Sequence, residues 1–173
     1  MTRPLVFYPD PVLARRAEEI AEVTPELRAL ADDMALTMYA NEGIGLAAPQ
    51  VGQSVRLVVV DISGPKVRDD LRVLVNPVIT ARSEETVESE EGCLSVRNYR
   101  ANVERAAQVT VQARTLDGQE LTIEADDLLA ICLQHEIDHL DGTLFIDHIS
   151  RLKRSLYDKK VRKWVKQDKA QSE

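Results

Sequence analysis

Cysteine is scarce: only Cys93 and Cys132 occur in 173 residues. A chain of this length buries a sufficient core without covalent staples, so a disulfide framework is excluded and a reducing compartment is expected. Equally missing is any unbroken apolar run near the roughly 18 residues that span a bilayer. The opening MTRPLVFYPDPVLARR has no apolar signal-peptide core either, so a cytoplasmic protein without a membrane partner is expected. There is no internal repeat or low-complexity tract. The GIG at 43–45 is followed by neither a lysine nor a second glycine pair, which excludes a phosphate-binding fingerprint. Basic charge is also short, except at one end. The net charge is -7, yet residues 150–173 hold nine Lys or Arg against three acids. That tail is either a solvated helix face or a nucleic-acid contact.

With 44 % hydrophobic residues, the chain is expected to form one domain, its body over 1–149 and its basic helix and tail over 150–173. DPVLARRAEEI predicts a short opening helix. In TPELRALADDMALTMYANEG, Thr24 is a natural N-cap, Pro25 suits the first helical position, and apolar residues recur at 27, 30, 31, 34 and 38. Strands are predicted at 55–61, 71–79, 109–116 and 119–125, with a hairpin turn at Asp117-Gly118. ARSEETVESEEG reads as an edge strand or solvated loop. Strand spacing is too close for helical crossovers, so the expectation is an α+β fold. Antiparallel or mixed sheets would surround a central helix starting at 126–127 and ending at Gly142, with a helix pair before it and the basic helix after it.

On that central helix His135 and His139 lie four apart on the buried stripe, with Glu136 between them. This spacing lets two imidazoles converge on one ion while the carboxylate reaches a water held there. Two ligands need a third. HEIDHLDGTLF follows the extended zinc-peptidase pattern as far as Gly142, but Phe145 stands where the third histidine belongs. The only Glu after 139 is Glu173; Asp147 and His148 remain as downstream candidates without a justified spacing. Upstream, the thiolate of Cys93 in SEEGCLSVR is the strongest donor, although a buried thiol is the plainer reading. Cys132, on the apolar stripe, is expected to be packed and unligated.

Three segments, GIGLAAPQ at 43–50, EGCLS at 91–95 and QHEIDH at 134–139, together resemble the bacterial peptide deformylases, and the likeness extends over nearly the whole chain. The resemblance implies removal of the formyl group from the N-terminal formylmethionine of new polypeptides. It also implies Cys93, His135 and His139 as metal ligands, Glu136 as general base, and Gln50 with the Leu94 backbone N–H as oxyanion donors. Ile44, Leu128, Ile131 and Cys132 would surround the methionine side chain, with Gly45, Glu91 and Arg100 at the peptide and a Glu91–Arg105 pair supporting the cysteine strand. The implied metal is Fe²⁺, with Zn²⁺, Ni²⁺ or Co²⁺ able to replace it. The implied partners are N-formylmethionyl nascent peptides met at the ribosome, with no DNA, by a monomer. The family usually has proline after EGCLSV, where this chain has Arg97; that change is expected to free the loop and add charge beside the peptide. The rival expectation is a zinc endopeptidase.

Overall fold

The structure is a computed structural model and describes residues 1–172; Glu173 lies outside the described residues. The helices are α1 (Pro25–Ala40), α2 (Asp127–Leu140) and α3 (Arg151–Gln171). The strands are β1 (Gly45–Ala47), β2 (Leu57–Val60), β3 (Arg72–Arg82), β4 (Thr86–Cys93), β5 (Val96–Ala106), β6 (Gln108–Arg114) and β7 (Glu120–Asp126). Five strands pair in the order β1-β2-β3-β6-β7, while β4 and β5 form a separate two-stranded sheet. Every ladder is antiparallel. The fold is thus α+β.

Helix α1 begins as its sequence predicts: the Thr24 hydroxyl accepts from the Leu27 N–H at 3.2 Å, and the stripe Leu27, Leu30, Ala31, Met34 and Met38 is buried. The run LVVV of β2 is apolar at every position because both of its faces are covered. Leu57 and Val59 pack with α1, whereas Val58 and Val60 pack with α2. The metal-binding candidates therefore ride on a helix held against a rigid, fully buried strand.

Strands β4 and β5 form an excursion between β3 and β6. It is closed at its base, where the Ser83 N–H donates to the Gln108 carbonyl and the Ala107 N–H to the Glu85 carbonyl, each at 2.9 Å. Helix α3 covers this hairpin through Tyr157 and Val161, which join Val96, Val103, Phe145 and Ile146 in one apolar cluster. Among the described residues, no helix is long and apolar enough to cross a membrane.

Two local expectations differ from the structure. DPVLARRAEEI forms a single 3-10 turn, Pro11–Ala14, started by the Asp10 side chain. Beyond it the backbone is recruited elsewhere: the Ala17 N–H donates to the Leu140 carbonyl at 2.8 Å, and Glu18 bridges Val55. Strand β5 was hidden in the sequence because Arg105 occupies a buried position beside Val103 and Ala106, which breaks the apolar alternation. ARSEETVESEEG supplies the end of β3 and most of β4.

Candidate metal centre

Cys93 is the last residue of β4, opposite Val96 across the turn made by Leu94 and Ser95. Glu91, two residues earlier on the strand, shares its face. His135 and His139 stand one helical turn apart on α2, their ring centroids 5.0 Å apart. One ligand atom from each of Cys93, His135 and His139 lies within 4.8 Å of the other two, and the Cys93 Sγ is 3.3 Å from the His139 Nε2. The two downstream candidates stay outside this cluster. Asp147 pairs with Arg154, and the His148 Nε2 lies 2.9 Å from an Asp138 carboxylate oxygen.

The donor set fits a divalent cation on several grounds. The His135 Nδ1 lies 2.8 Å from the Glu91 Oε1. An ionised carboxylate only accepts, so this contact places hydrogen on Nδ1 and leaves Nε2 free as a ligand atom. Burial works against a charged His135, yet Cys93 and Glu91 hold it well above its usual range, so the surroundings favour positive charge at this ring. Burial, and then His135, hold His139 well below its usual range, in the neutral form that a ligand needs. Burial would also raise Glu91, but hydrogen bonds from Arg105 and His135 bring it down to about 2.

Glu136 is different. Burial raises its carboxyl to about 7, and its Oε2 is buried without a hydrogen-bond partner. A buried oxygen in that state calls for a polar occupant beside it. Gly45 makes room for this carboxylate: a Cβ there would fall 2.7 Å from the Glu136 Oε1 and 2.9 Å from the Cys132 Sγ. That close approach is the physical reason for glycine at this position in β1.

Gln50 sits on the short turn after β1 and is 1 % exposed. Its Oε1 accepts from the Ala47 N–H at 2.9 Å, which aims Nε2 toward the Cys93 Sγ, 3.5 Å away, and the Ser95 hydroxyl, 3.2 Å away. A cavity of about 710 Å³ opens beside these groups. Ile44, Leu128, Ile131 and Cys132 give it an apolar wall, and Gly45, Leu94, Glu91 and Arg100 also line it. Leu128 forms an exposed lip. Burial, then the charges of Glu136 and Glu91, push the Cys132 thiol up, so it remains protonated and packed, 3.8 Å from the Ile44 carbonyl. Glu91 has both oxygens engaged by Arg105 and His135, which sets it behind the ligand. Arg100 pairs with Glu90 at 2.8 Å, both exposed.

Arg97 corrects an expectation: it lies in β5, not in a freed loop. Its guanidinium stacks 4.4 Å from the Phe7 ring centre and faces Asp168 at 3.4 Å, and its carbonyl accepts from the Tyr157 hydroxyl at 2.9 Å. The cavity lining does not include it.

Sequence reasoning missed several supports. The Gln134 amide pairs with both backbone groups of Ala106, at 2.9 and 3.0 Å, fastening α2 to the end of β5. Arg56 donates to the Leu140 carbonyl at 2.9 Å and pairs with Asp141, closing the other end of α2. The available signal was a polar residue on an apolar helix stripe for Gln134; for Arg56 there was none beyond one charge beside a buried strand.

A sequence model of the polypeptide deformylase family matches residues 2–155. A peptide deformylase from Acidobacterium capsulatum is 52 % identical over 163 residues, covering 94 % of this chain and 95 % of that one. Another from Agrobacterium fabrum is 51 % identical over 93 % of this chain and 95 % of its own. The crystal structure of a peptide deformylase from Legionella pneumophila superposes with a TM-score of 0.89 at 41 % identity, covering 97 % of this chain and 98 % of that one.

Proposed function

The chain belongs to the polypeptide deformylase family, and from that premise we propose that Cys93, His135 and His139 hold its divalent ion while Glu136, Gln50 and the Leu94 N–H carry out the chemistry. The reaction is hydrolysis of the formyl amide at the N-terminal formylmethionine of new polypeptides, with release of formate. A divalent ion at the three ligands supplies Lewis acidity, making a water acidic near neutral pH and drawing charge from the formyl oxygen. Glu136 takes the proton of the attacking water and passes it to the leaving amine; burial, which favours its protonated form, suits it to hold the proton between the two transfers. Charge gathers on the formyl oxygen as the carbon becomes tetrahedral. The Gln50 amide, held in place through its own oxygen, and the Leu94 N–H donate to that oxyanion.

The methionine side chain enters the apolar part of the cavity beside Ile44, Leu128, Ile131 and Cys132, a surface suited to a flexible thioether. Gly45 offers backbone to an extended peptide, and Arg100 reaches its carbonyls or the formate. Ferrous iron is the metal we assign, with zinc, nickel or cobalt able to take its place; thiolate and imidazole donors accept all four. We place the protein in the cytoplasm as a monomer and read residues 1–149 and 150–173 as parts of one domain. The exposed Lys159, Lys163 and Lys166 of α3 would touch ribosomal RNA transiently. Reversing these three charges should then weaken ribosome binding and flatten its salt dependence; unchanged binding at low and moderate salt would end this reading.

The observation that carries the mechanism is the convergence of the three donor atoms beside a buried, unpartnered Glu136 oxygen. Its test is an anaerobic assay of formate release from a formylmethionyl peptide, with metal content measured on the same sample. About one ion per chain, lost together with activity in Cys93→Ala, is the expected result; full activity without metal would overturn it.

A further inference from the structure

Behind His135 a chain of charged groups continues past Glu91 to the surface. Arg105 grips Glu91 with two hydrogen bonds, Nε to Oε2 at 2.8 Å and Nη2 to Oε1 at 2.9 Å. Its remaining nitrogen, Nη1, donates to the Asp138 Oδ2 at 2.7 Å. The same oxygen is met at 2.9 Å by the His148 Nε2. An ionised carboxylate can only accept, so Nε2 carries the hydrogen and His148 is the donor in that contact. Arg105 is buried, Asp138 is largely covered, and His148, at 38 % exposure, ends the chain in solvent.

The charges along this line explain why it has two acids. A guanidinium serving Glu91 alone would neutralise it and weaken its hold on the His135 Nδ1 hydrogen. Shared with Asp138, the cation leaves the trio of Glu91, Arg105 and Asp138 with one net negative charge, and Glu91 stays a strong acceptor. A strongly held Nδ1–H makes Nε2 of the same ring a better electron donor, and groups behind a ligand tune a metal in this way. His148 fixes the Asp138 carboxylate so that Oδ2 faces Arg105 instead of turning to water. Neither Asp138 nor His148 lines the cavity, so neither acts on substrate directly.

We propose that Asp138 and His148 are positioning residues for the metal centre, acting through Arg105 and Glu91 to set the orientation and donor strength of His135. This rests on the reading of Cys93, His135 and His139 as the ligands.

The test compares cobalt(II)-loaded wild type, His148→Leu, His148→Gln and Asp138→Asn. Three readouts are taken: the visible absorption of the bound ion, its rate of release to a chelator, and the melting temperature of the loaded protein. Asp138→Asn should release cobalt about 10- to 100-fold faster, the range found for partners behind a ligand, and His148→Leu about tenfold faster. Both should show a shifted ligand-field band. His148→Gln keeps an N–H donor at this place and should behave like wild type. His148 is partly exposed, so its variants report even where Asp138→Asn does not fold. Wild-type spectra and release rates in His148→Leu would overturn the proposal. So would equal changes in the leucine and glutamine variants that merely follow a lower melting temperature. Absence of a thiolate-to-cobalt absorption band in wild type would overturn the ligand assignment itself, and that failure is visible before any variant is made.

Discussion

Of its fourteen residues α2 buries nine, among them Gln134, His135, Glu136 and His139, whereas α3 buries only Tyr157 and Val161 of twenty-one. Both are regular helices rich in polar groups. In α2 several buried polar groups are matched to partners supplied by other elements: Gln134 to Ala106, His135 to Glu91, and the Leu140 carbonyl to Arg56. In α3 most polar groups lie at the surface, and the buried Tyr157 hydroxyl is matched to the Arg97 carbonyl. Desolvation is expensive, so polar groups taken from water must be fully matched or given a task. Two buried side-chain atoms of α2 are left unmatched, the Glu136 Oε2 and the His139 Nδ1, and they belong to the residue assigned the proton transfers and to a proposed metal ligand.

Substitutions in α2 and the strands packed against its site should therefore have larger effects than those in α3. The largest effect is expected at Glu136→Gln, with deformylation falling by about 10²- to 10⁴-fold in a formate-release assay while metal content stays at the wild-type level. Next, Arg105→Ala strips Glu91 and Asp138 of their cation, and breaking a buried pair from one side costs about 3–5 kcal/mol. Denaturant unfolding should show that loss. Gly45→Ala forces the Glu136 carboxylate away from β1, and a misplacement on the order of 1 Å costs about 10²-fold in rate. Its melting temperature should fall far less than that of Arg105→Ala.

In α3 the effects should shrink. Tyr157→Phe removes one hydrogen bond to the Arg97 carbonyl, worth about 1 kcal/mol. The same tyrosine links stability to alkaline pH. Burial, then the neighbouring Tyr8, raises Tyr157 to about 12, from an ordinary 10.0. Its neutral form is thus favoured by the fold. The stabilisation is complete below pH 10, where the unfolded tyrosine is also neutral, and is lost as pH rises from 10 through 12. Tyr157→Phe should flatten that decline in unfolding titrations. Smallest of all, Leu152→Lys and Leu156→Lys, at exposed positions, should change stability by less than about 0.5 kcal/mol.

The sequence disclosed the elements whose pattern is local. The Thr24–Pro25 start of α1, the buried run of β2 and the Asp117-Gly118 turn each follow from residues adjacent in the chain. β5 did not, because its inward face carries Arg105, whose reason for burial is Glu91 on a neighbouring strand and Asp138 on α2. The same division holds at the site. Helical spacing alone joined His135, Glu136 and His139, while Cys93 stood out only as the strongest upstream donor, and the three-motif resemblance was needed to assign it. The partners of Gln134, Arg56, Ser95, Asp138 and His148 were not legible because they are chosen by tertiary contact. The opening turn failed as a helix for a related reason: Ala17 and Glu18 spend their backbone groups on Leu140 and on the segment around Val55.

The excursion carrying Cys93 leaves the five-stranded sheet and returns to it at positions already hydrogen-bonded to each other, Ser83 with Gln108 and Glu85 with Ala107. Loop entropy depends on the distance between the ends of an insertion more than on the chain within it. Residues added in opposed pairs along β4 and β5 would leave the register of β3 on β6 intact, yet each pair would carry Cys93, at the tip, about 3 Å farther from His135 and His139. The two sheets are thus independent in register, while the length of the hairpin is held by the meeting of Cys93 with the two histidines of α2.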